Sequence, residues 1–119
     1  MNIFENTAQK YPRIVEKMCL ASIMAGARIM AVYSEEDFGV EMKVDDSPIT
    51  RADRLADKMI GKILKQNFPD IPIVSEESNC DLTSAMGDIY FLVDPLDGTK
   101  EFIKKTGEFT VNIAVIINS

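Results

Sequence analysis

The sequence predicts a mixed α/β fold in which helices are layered against a sheet. Two long stretches carry apolar residues at helical spacing, and four short runs are rich in β-branched and aromatic residues. Their order is helix, strand, helix, strand, loop, strand, short helix and strand, which is typical of helices packed on one sheet. The chain has 119 residues, of which 46% are hydrophobic and 27% charged, and this composition suits one small globular domain.

The composition also excludes several classes of function. A net charge of −6 argues against a nucleic-acid polymer as partner, because such a partner needs a basic face. The chain contains no histidine, which excludes Ser-His-Asp and Cys-His catalysis and histidine-ligated zinc. Cys19 and Cys80 lack metal-ligand spacing, and residues 2–11 lack the apolar core of a signal peptide. We therefore expect a cytoplasmic protein whose hydrolytic chemistry would rely on carboxylates, hydroxyls and a hard metal ion.

The first half of the chain predicts a long helix followed by a strand and a turn. Pro12 to Tyr33 carries apolar residues at helical spacing, and proline is well suited to a first helical turn. Glu35 to Asp37 indicates a solvated turn, and Gly39 to Val44 alternates as a strand does. Asp45 to Pro48 is a cluster of turn-forming residues.

The segment from Thr50 to Asp53 has the form of a capping box, and an apolar-periodic helix follows it. Phe68 to Asp70 ends that helix. Spacing alone favours a purely structural role for Asp53, in which its carboxylate stabilises the helix N-terminus by about 0.5–2 kcal/mol. A catalytic role is compatible with it, since a helix N-terminus keeps a carboxylate ionised.

The second half predicts short strands separated by polar loops. The pattern of Ile71 to Ser75 predicts a short strand, which Glu76 and Glu77 follow. Paired glutamates more commonly lie in a solvated acidic turn. The composition of residues 79–87 predicts a polar loop, and that of Lys104 to Glu108 predicts a charged turn. Thr110 to Ile117 is apolar on both faces, which is typical of a central strand.

The most informative stretch follows a predicted buried strand, Ile89 to Val93, which we expect to stop at Asp94-Pro95. Asp94 and Asp97 then lie on a tight turn, where like charges repel unless a cation or protons neutralise them. A hard divalent cation prefers carboxylate and carbonyl oxygens, and the N–H groups of Gly98 and Thr99 offer a place for a phosphate. On the residues alone, an ordinary turn remains an open alternative.

Longer strings resemble a known family. The string Asp94-Pro95-Leu96-Asp97-Gly98-Thr99 resembles the metal-binding signature of the lithium-sensitive, magnesium-dependent phosphatases, the inositol monophosphatase superfamily. Lys100 to Phe102 and Gly107 to Ala114 resemble its CysQ branch, the 3'(2'),5'-bisphosphate nucleotidases. Val74 to Ser78 is similar to the family's second signature, and Ser47 to Asp53 to the segment whose aspartate partners the catalytic threonine.

The resemblance implies a layered α/β/α sandwich, whose sheet in this half of the fold is mostly antiparallel. It also implies Mg²⁺ as cofactor, with two or three ions in the complete enzyme. Glu76, Asp94 and the Leu96 carbonyl would bind one ion, while Asp94 and Asp97 would reach a second. Of the two adjacent glutamates, the resemblance assigns a metal-binding role to Glu76 only, and Glu77 receives no assignment.

The resemblance further implies how water and substrate are handled. Thr99, hydrogen-bonded to Asp53, would orient or deprotonate the attacking water, so that these two residues are the catalytic pair. The N–H groups of Gly98 and Thr99 would hold phosphate oxygens. The predicted substrate-binding residues are therefore Glu76, Leu96, Asp97, Gly98 and Thr99. For Lys100, a solvated side chain is favoured over a contact with the substrate phosphate.

The implied activity is a magnesium-dependent phosphomonoesterase that hydrolyses adenosine 3',5'-bisphosphate to AMP and phosphate, in sulfate assimilation or nucleotide recycling. An inositol monophosphatase or sugar bisphosphatase using the same site is the alternative within enzymes. A non-catalytic metal-binding or assembly fragment is the alternative outside them. The resemblance also allows for a homodimer and for peripheral association with the inner membrane.

The family has a later Trp-Asp motif that completes its second metal site, whereas this chain contains no tryptophan. We therefore expect residues 1–119 to be a truncated N-terminal metal-binding domain, with the family's C-terminal domain absent. The 119 residues alone should have weak or no phosphatase activity. An exposed apolar strand edge should also make them prone to pair with another copy.

Overall fold

The fold was analysed in a computed structural model that describes residues 11–77 and 88–117. The polar loop predicted at 79–87, Cys80 and residues 2–10 lie outside the described residues. The elements, numbered in chain order, are α1 Pro12–Tyr33, β1 Glu41–Met42, β2 Pro48–Ile49, α2 Arg51–Asn67, β3 Ile73–Ser75, β4 Ile89–Asp97, α3 Thr99–Ile103 and β5 Thr110–Ile117.

The two long helices pack against each other and against the sheet. Four alanines without solvent exposure lie on their buried faces: Ala21, Ala25, Ala52 and Ala56. Such small side chains allow two helix backbones to approach closely, and the larger apolar residues of the same faces then reach the sheet. Ile29, Ile60 and Phe91 belong to this common core. Within the described residues, no helix combines the length and hydropathy that a membrane span needs.

The sheet that carries the predicted signatures has three strands in the order β3-β4-β5. β3 runs parallel to β4, with Ser75 opposite Val93, and β5 runs antiparallel to it, with Ile117 opposite Ile89. β1 and β2 form a separate antiparallel pair. Two of these three strand pairings are antiparallel, as expected, and the parallel pairing brings the ends of β3 and β4 to one edge.

The prediction that the buried strand stops at Asp94-Pro95 was wrong, because β4 continues to Asp97. Asp94 pairs with Asn112 and Asp97 with Thr110, so three steps along β4 match two along β5. This extra residue is a β-bulge, and a proline inside a bulge costs no ladder hydrogen bond. The bulge bends the strand end and thereby aims the two aspartates.

β5 has the predicted bounds, but within the described residues it is not a central strand. It pairs only with β4 there, and its residues alternate between exposed and half-buried from Thr110 to Val115. Two other strands, β1 and β3, were predicted too long, and β2 was not predicted. Only Glu41–Met42 of the segment from Gly39 to Val44 is a strand, and Ile71 to Ser75 becomes a strand only at Ile73.

An aromatic cluster fixes the short helix α3 to the end of α1. Phe102 has no solvent exposure, and its ring centroid lies 4.8 Å from that of Phe38 and 5.1 Å from those of Tyr33 and Phe109. Aromatic pairs at these separations stabilise by more than their buried area alone. The helix that begins at Thr99 is therefore held by packing, although it has only five residues.

Candidate active site

The predicted site residues meet at the edge of the sheet where β3 and β4 end. Glu76 follows β3 directly, and its N–H donates to the Val93 carbonyl at 3.2 Å, which places it beside Asp94. An open cleft of about 300 Å³ lies there. Six of the predicted site residues line it, namely Glu76, Asp94, Leu96, Asp97, Gly98 and Thr99.

Asp53 reaches this cleft through Thr99. The Asp53 side chain is wholly buried, and its Oδ2 accepts hydrogen bonds from the N–H and the hydroxyl of Thr50, both at 2.7 Å. Its other oxygen, Oδ1, accepts from Thr99 Oγ1 at 2.8 Å, across 46 positions of sequence. The capping box and the contact with Thr99 thus exist together, one on each carboxylate oxygen.

The direction of the hydrogen bond from Thr99 matters for chemistry. A hydroxyl has one proton to donate, and Asp53 Oδ1 at 2.8 Å is a better acceptor than the Leu96 carbonyl at 3.4 Å. With its proton directed to Asp53, the Thr99 oxygen keeps its lone pairs for another donor. A water molecule in the cleft is the natural candidate for that donor.

Gly98 makes the turn that delivers Thr99 to the cleft. Its φ of +96° lies in the left-handed region, and a Cβ built there would come within 2.7 Å of the Glu108 carbonyl oxygen. Both the backbone angle and the close approach require glycine. The Gly98 carbonyl then accepts from the Phe102 N–H at 2.8 Å and so begins α3.

The cleft carries an excess of negative charge. Burial, followed by the charges of Glu76 and Asp97, raises the pKa of Asp94 from an ordinary 3.8 to about 6. Both causes disfavour the ionised form of Asp94, and a bound proton or cation would offset them. The donors on offer are carboxylate oxygens and the Leu96 carbonyl, which suit a hard divalent cation rather than a soft one.

The sequence prediction missed an ion pair at the cleft. Lys43 Nζ lies 3.1 Å from Glu77 Oε1, and the Glu77 side chain is only 6% exposed. Burial raises the pKa of Glu77 despite Lys43, and Glu77 Oε2 is buried without a hydrogen-bond partner. Lys43 and Glu77 are 34 positions apart, and no local sequence pattern predicts their contact. Lys100, by contrast, is exposed at the cleft as expected.

The family follows from a comparison with known proteins. A model described as the inositol monophosphatase family matches residues 12–119. The chain belongs to the inositol monophosphatase family. A 3'(2'),5'-bisphosphate nucleotidase CysQ of Buchnera aphidicola is 42% identical over 118 residues, covering 98% of this chain and 44% of that protein. CysQ of Salmonella typhimurium is 47% identical over 105 residues, covering 87% of this chain and 43% of that protein.

Solved structures of the inositol monophosphatase family share the fold. CysQ from Bacteroides thetaiotaomicron superimposes with a TM-score of 0.75 at 42% identity, covering 91% of this chain and 39% of that one. The extragenic suppressor protein suhB from Bartonella henselae gives a TM-score of 0.79 at 30% identity, covering 88% of this chain and 41% of that one. The chain therefore spans less than half the length of the relatives that it matches. The predicted layered α/β fold is confirmed.

Members of the inositol monophosphatase family are metal-dependent phosphatases, and the donor set of the cleft fits a metal ion. Two observations support this fit: the raised pKa of Asp94 among carboxylates, and the buried, unpartnered oxygen of Glu77. Among residues 11–77 and 88–117, however, no three His, Cys, Asp or Glu side chains are already close enough together to hold an ion. Glu76 and Asp97 are exposed side chains that can change rotamer.

Proposed function

We propose that this chain provides the catalytic metal-binding part of a magnesium-dependent phosphomonoesterase that hydrolyses adenosine 3',5'-bisphosphate to AMP and phosphate. The observation that carries the proposal is the hydrogen bond from Thr99 to the buried Asp53 at the edge of an acidic cleft. The nucleotide substrate is proposed because relatives at 42% and 47% identity are named 3'(2'),5'-bisphosphate nucleotidases.

In this proposal Glu76, Asp94, Asp97 and the Leu96 carbonyl hold Mg²⁺. When bound, Mg²⁺ would neutralise the carboxylates and the substrate phosphate and would make water a better nucleophile. Glu76 and Asp97 approach Asp94 by side-chain rotation, since both are exposed whereas Asp94 is half-buried in β4. Asp94 is the central ligand in this proposal because, after burial, the charges of both Glu76 and Asp97 raise its pKa.

Thr99 and Asp53 handle the water. Thr99 Oγ1 accepts a hydrogen bond from the attacking water while it donates its own proton to Asp53 Oδ1. The water oxygen forms its bond to phosphorus as the bond from phosphorus to the ribose 3'-oxygen breaks. The water passes one proton to Thr99 Oγ1 as Thr99 passes its own to Asp53 Oδ1, and the ribose oxygen leaves with a proton from solvent. Phosphoryl transfer depends mainly on positioning and charge neutralisation, so the absence of histidine from the sequence is no obstacle.

The phosphate is proposed to lie against the turn at Gly98. The N–H groups of Gly98 and Thr99 begin α3, where backbone donors have no partner within the helix. They would donate hydrogen bonds to phosphate oxygens on the side of the cleft that Asp97 lines. The exposed Lys100 lines the same cleft and adds positive charge near that position.

The test is release of phosphate by the full-length gene product with Mg²⁺. Adenosine 3',5'-bisphosphate, inositol 1-phosphate and fructose 1,6-bisphosphate are compared for wild type, Asp94→Asn and the exposed control Asp70→Asn. We expect fastest release from the nucleotide, loss in Asp94→Asn and wild-type rates in Asp70→Asn. Faster release from inositol phosphate or the sugar would replace the proposed substrate, and equal release by Asp94→Asn would remove the catalytic proposal.

A further inference from the structure

The Glu76–Glu77 turn is held by a hydrogen-bond relay that comes from α2. Ser75, the last residue of β3, is 4% exposed, and its hydroxyl donates to Asp57 Oδ1 at 2.5 Å. The hydroxyl oxygen of Ser75 itself accepts from the Glu77 N–H at 3.3 Å. The directions are consistent, because the hydroxyl gives its one proton to Asp57 and keeps lone pairs for the amide.

Within the described residues, three contacts fix the turn: this relay, the ion pair of Lys43 with Glu77 and the bond from the Glu76 N–H to the Val93 carbonyl. β3 has only three residues and is an edge strand in the described sheet. The Glu76 side chain is exposed and so gains little from packing, and its backbone is tied to the sheet by the bond to the Val93 carbonyl. A short hydrogen bond to a carboxylate is among the stronger ones available to a protein.

The same helix also holds the opposite side of the cleft. Asp57 follows Asp53 by one helical turn, so both carboxylates lie on one face of α2. Asp53 accepts a hydrogen bond from Thr99, just after β4, and Asp57 accepts one from Ser75, at the end of β3. One rigid element thus sets the position of the water-orienting threonine relative to the predicted metal ligand Glu76.

We propose that Asp57 and Ser75 are positioning residues, which hold the Glu76–Glu77 turn so that Glu76 is presented to a divalent cation. The inference rests on the proposed function to the extent that Glu76 is a ligand. It assigns to Asp57 a role that the capping box and the helical pattern do not require. Outer residues that orient ligands in this way commonly contribute about 10-fold to 100-fold in metal affinity.

The test is Mn²⁺ binding by the full-length gene product, measured from the electron paramagnetic resonance signal of free Mn²⁺. We expect Asp57→Ala and Ser75→Ala to bind about 10-fold more weakly or worse. Asp57→Asn keeps an oxygen that accepts from Ser75 and should remain near wild type, as should the exposed control Asp70→Ala. The doubly substituted protein should bind no more weakly than Asp57→Ala alone, because both changes break one relay.

A second measurement separates positioning from general stability. Hydrogen exchange of the Glu77 amide should accelerate in Ser75→Ala, while amides of the core strand β4 keep their protection. Wild-type Mn²⁺ affinity in Asp57→Ala and Ser75→Ala would overturn the inference, and so would equal losses in Asp57→Asn and Asp57→Ala. If the wild type binds Mn²⁺ and the relay variants lose it but adenosine 3',5'-bisphosphate is not hydrolysed, only the proposed function fails.

Discussion

Thr99 Oγ1 lies 2.8 Å from Asp53 Oδ1, and this hydrogen bond joins the end of β4 to the first turn of α2. The carboxylate that receives it is wholly buried and is fixed on its other oxygen by Thr50. The carboxylate of Asp53 is therefore held in one orientation, and the hydroxyl of Thr99 has one good acceptor. Together they form a pre-oriented pair.

The first prediction concerns this pair. Thr99→Ala should lower kcat by about 10²-fold to 10⁴-fold, since the water loses its acceptor, whereas Thr99→Ser keeps the hydroxyl and should lose far less. Mg²⁺-dependent phosphate release by the full-length gene product is the measurement. Mn²⁺ affinity should stay within a few-fold of wild type in both variants. An alanine variant as active as the serine variant would contradict the assigned role.

The sequence predicts those parts of the fold that local patterns encode. Pro12 marks the start of α1, the capping box at Thr50 marks the start of α2, and β5 has its predicted bounds. Each of these features depends on a few adjacent residues, so the sequence alone predicts it. β4 was predicted to stop at Asp94-Pro95, because a bulge depends on the partner strand and cannot be seen in β4 alone. Local pattern therefore gives elements, and pairing decides where they end.

The site shows the same division. The residues from Asp94 to Thr99 are adjacent in sequence, and a string of that length is specific enough to predict their common position. The contacts of Lys43 with Glu77 and of Asp57 with Ser75 span 34 and 18 positions. Each joins residues whose own segments carry no signal of the contact, and only tertiary packing of those segments brings such partners together.

The second prediction concerns Gly98 and uses Gly61 as its matched control. Gly98→Ala places a side chain at φ +96° and against the Glu108 carbonyl, so it should destabilise the fold by about 1–3 kcal/mol. Gly61 lies inside α2 with nothing within 4 Å of an added Cβ, so Gly61→Ala should stabilise by about 0.5–1 kcal/mol. Urea unfolding followed by circular dichroism measures both. Changes of the same sign would show that the turn does not require glycine.

The third prediction concerns the aromatic anchor of α3. Phe102→Ala should cost about 3–5 kcal/mol of unfolding free energy, because it empties a site surrounded by Tyr33, Phe38 and Phe109. Phe102→Leu keeps most of the apolar volume and should cost clearly less. Urea midpoints measure both variants. Equal and small losses would mean that the cluster repacks without its central ring.

The fourth prediction concerns pH and Asp94 in the absence of metal. The pKa of this carboxyl is about 6 in the fold against an ordinary 3.8, so the folded chain binds more protons than the unfolded chain between these values. The Asp94 contribution to stability is therefore fully present below about pH 4 and is lost as the pH rises through about 6. Because Asp94 is partly solvated, the loss should amount to no more than about 1 kcal/mol.

Asp94→Asn removes this titration and thereby gives the fourth prediction its test. In the presence of a metal chelator, the variant should be more stable than wild type at pH 7.5. The difference in their free energies of unfolding should shrink towards pH 4. Added Mg²⁺ should reverse the order at pH 7.5, since the cation neutralises the carboxylates of wild type but finds one ligand fewer in the variant. The measurement is the urea midpoint of each protein at about pH 4, 5, 6 and 7.5, with and without about 10 mM Mg²⁺. A metal-free Asp94→Asn less stable than wild type at pH 7.5 would mean that this carboxylate stabilises the fold by its own contacts, and that neither its burial nor the charges of Glu76 and Asp97 raise its pKa.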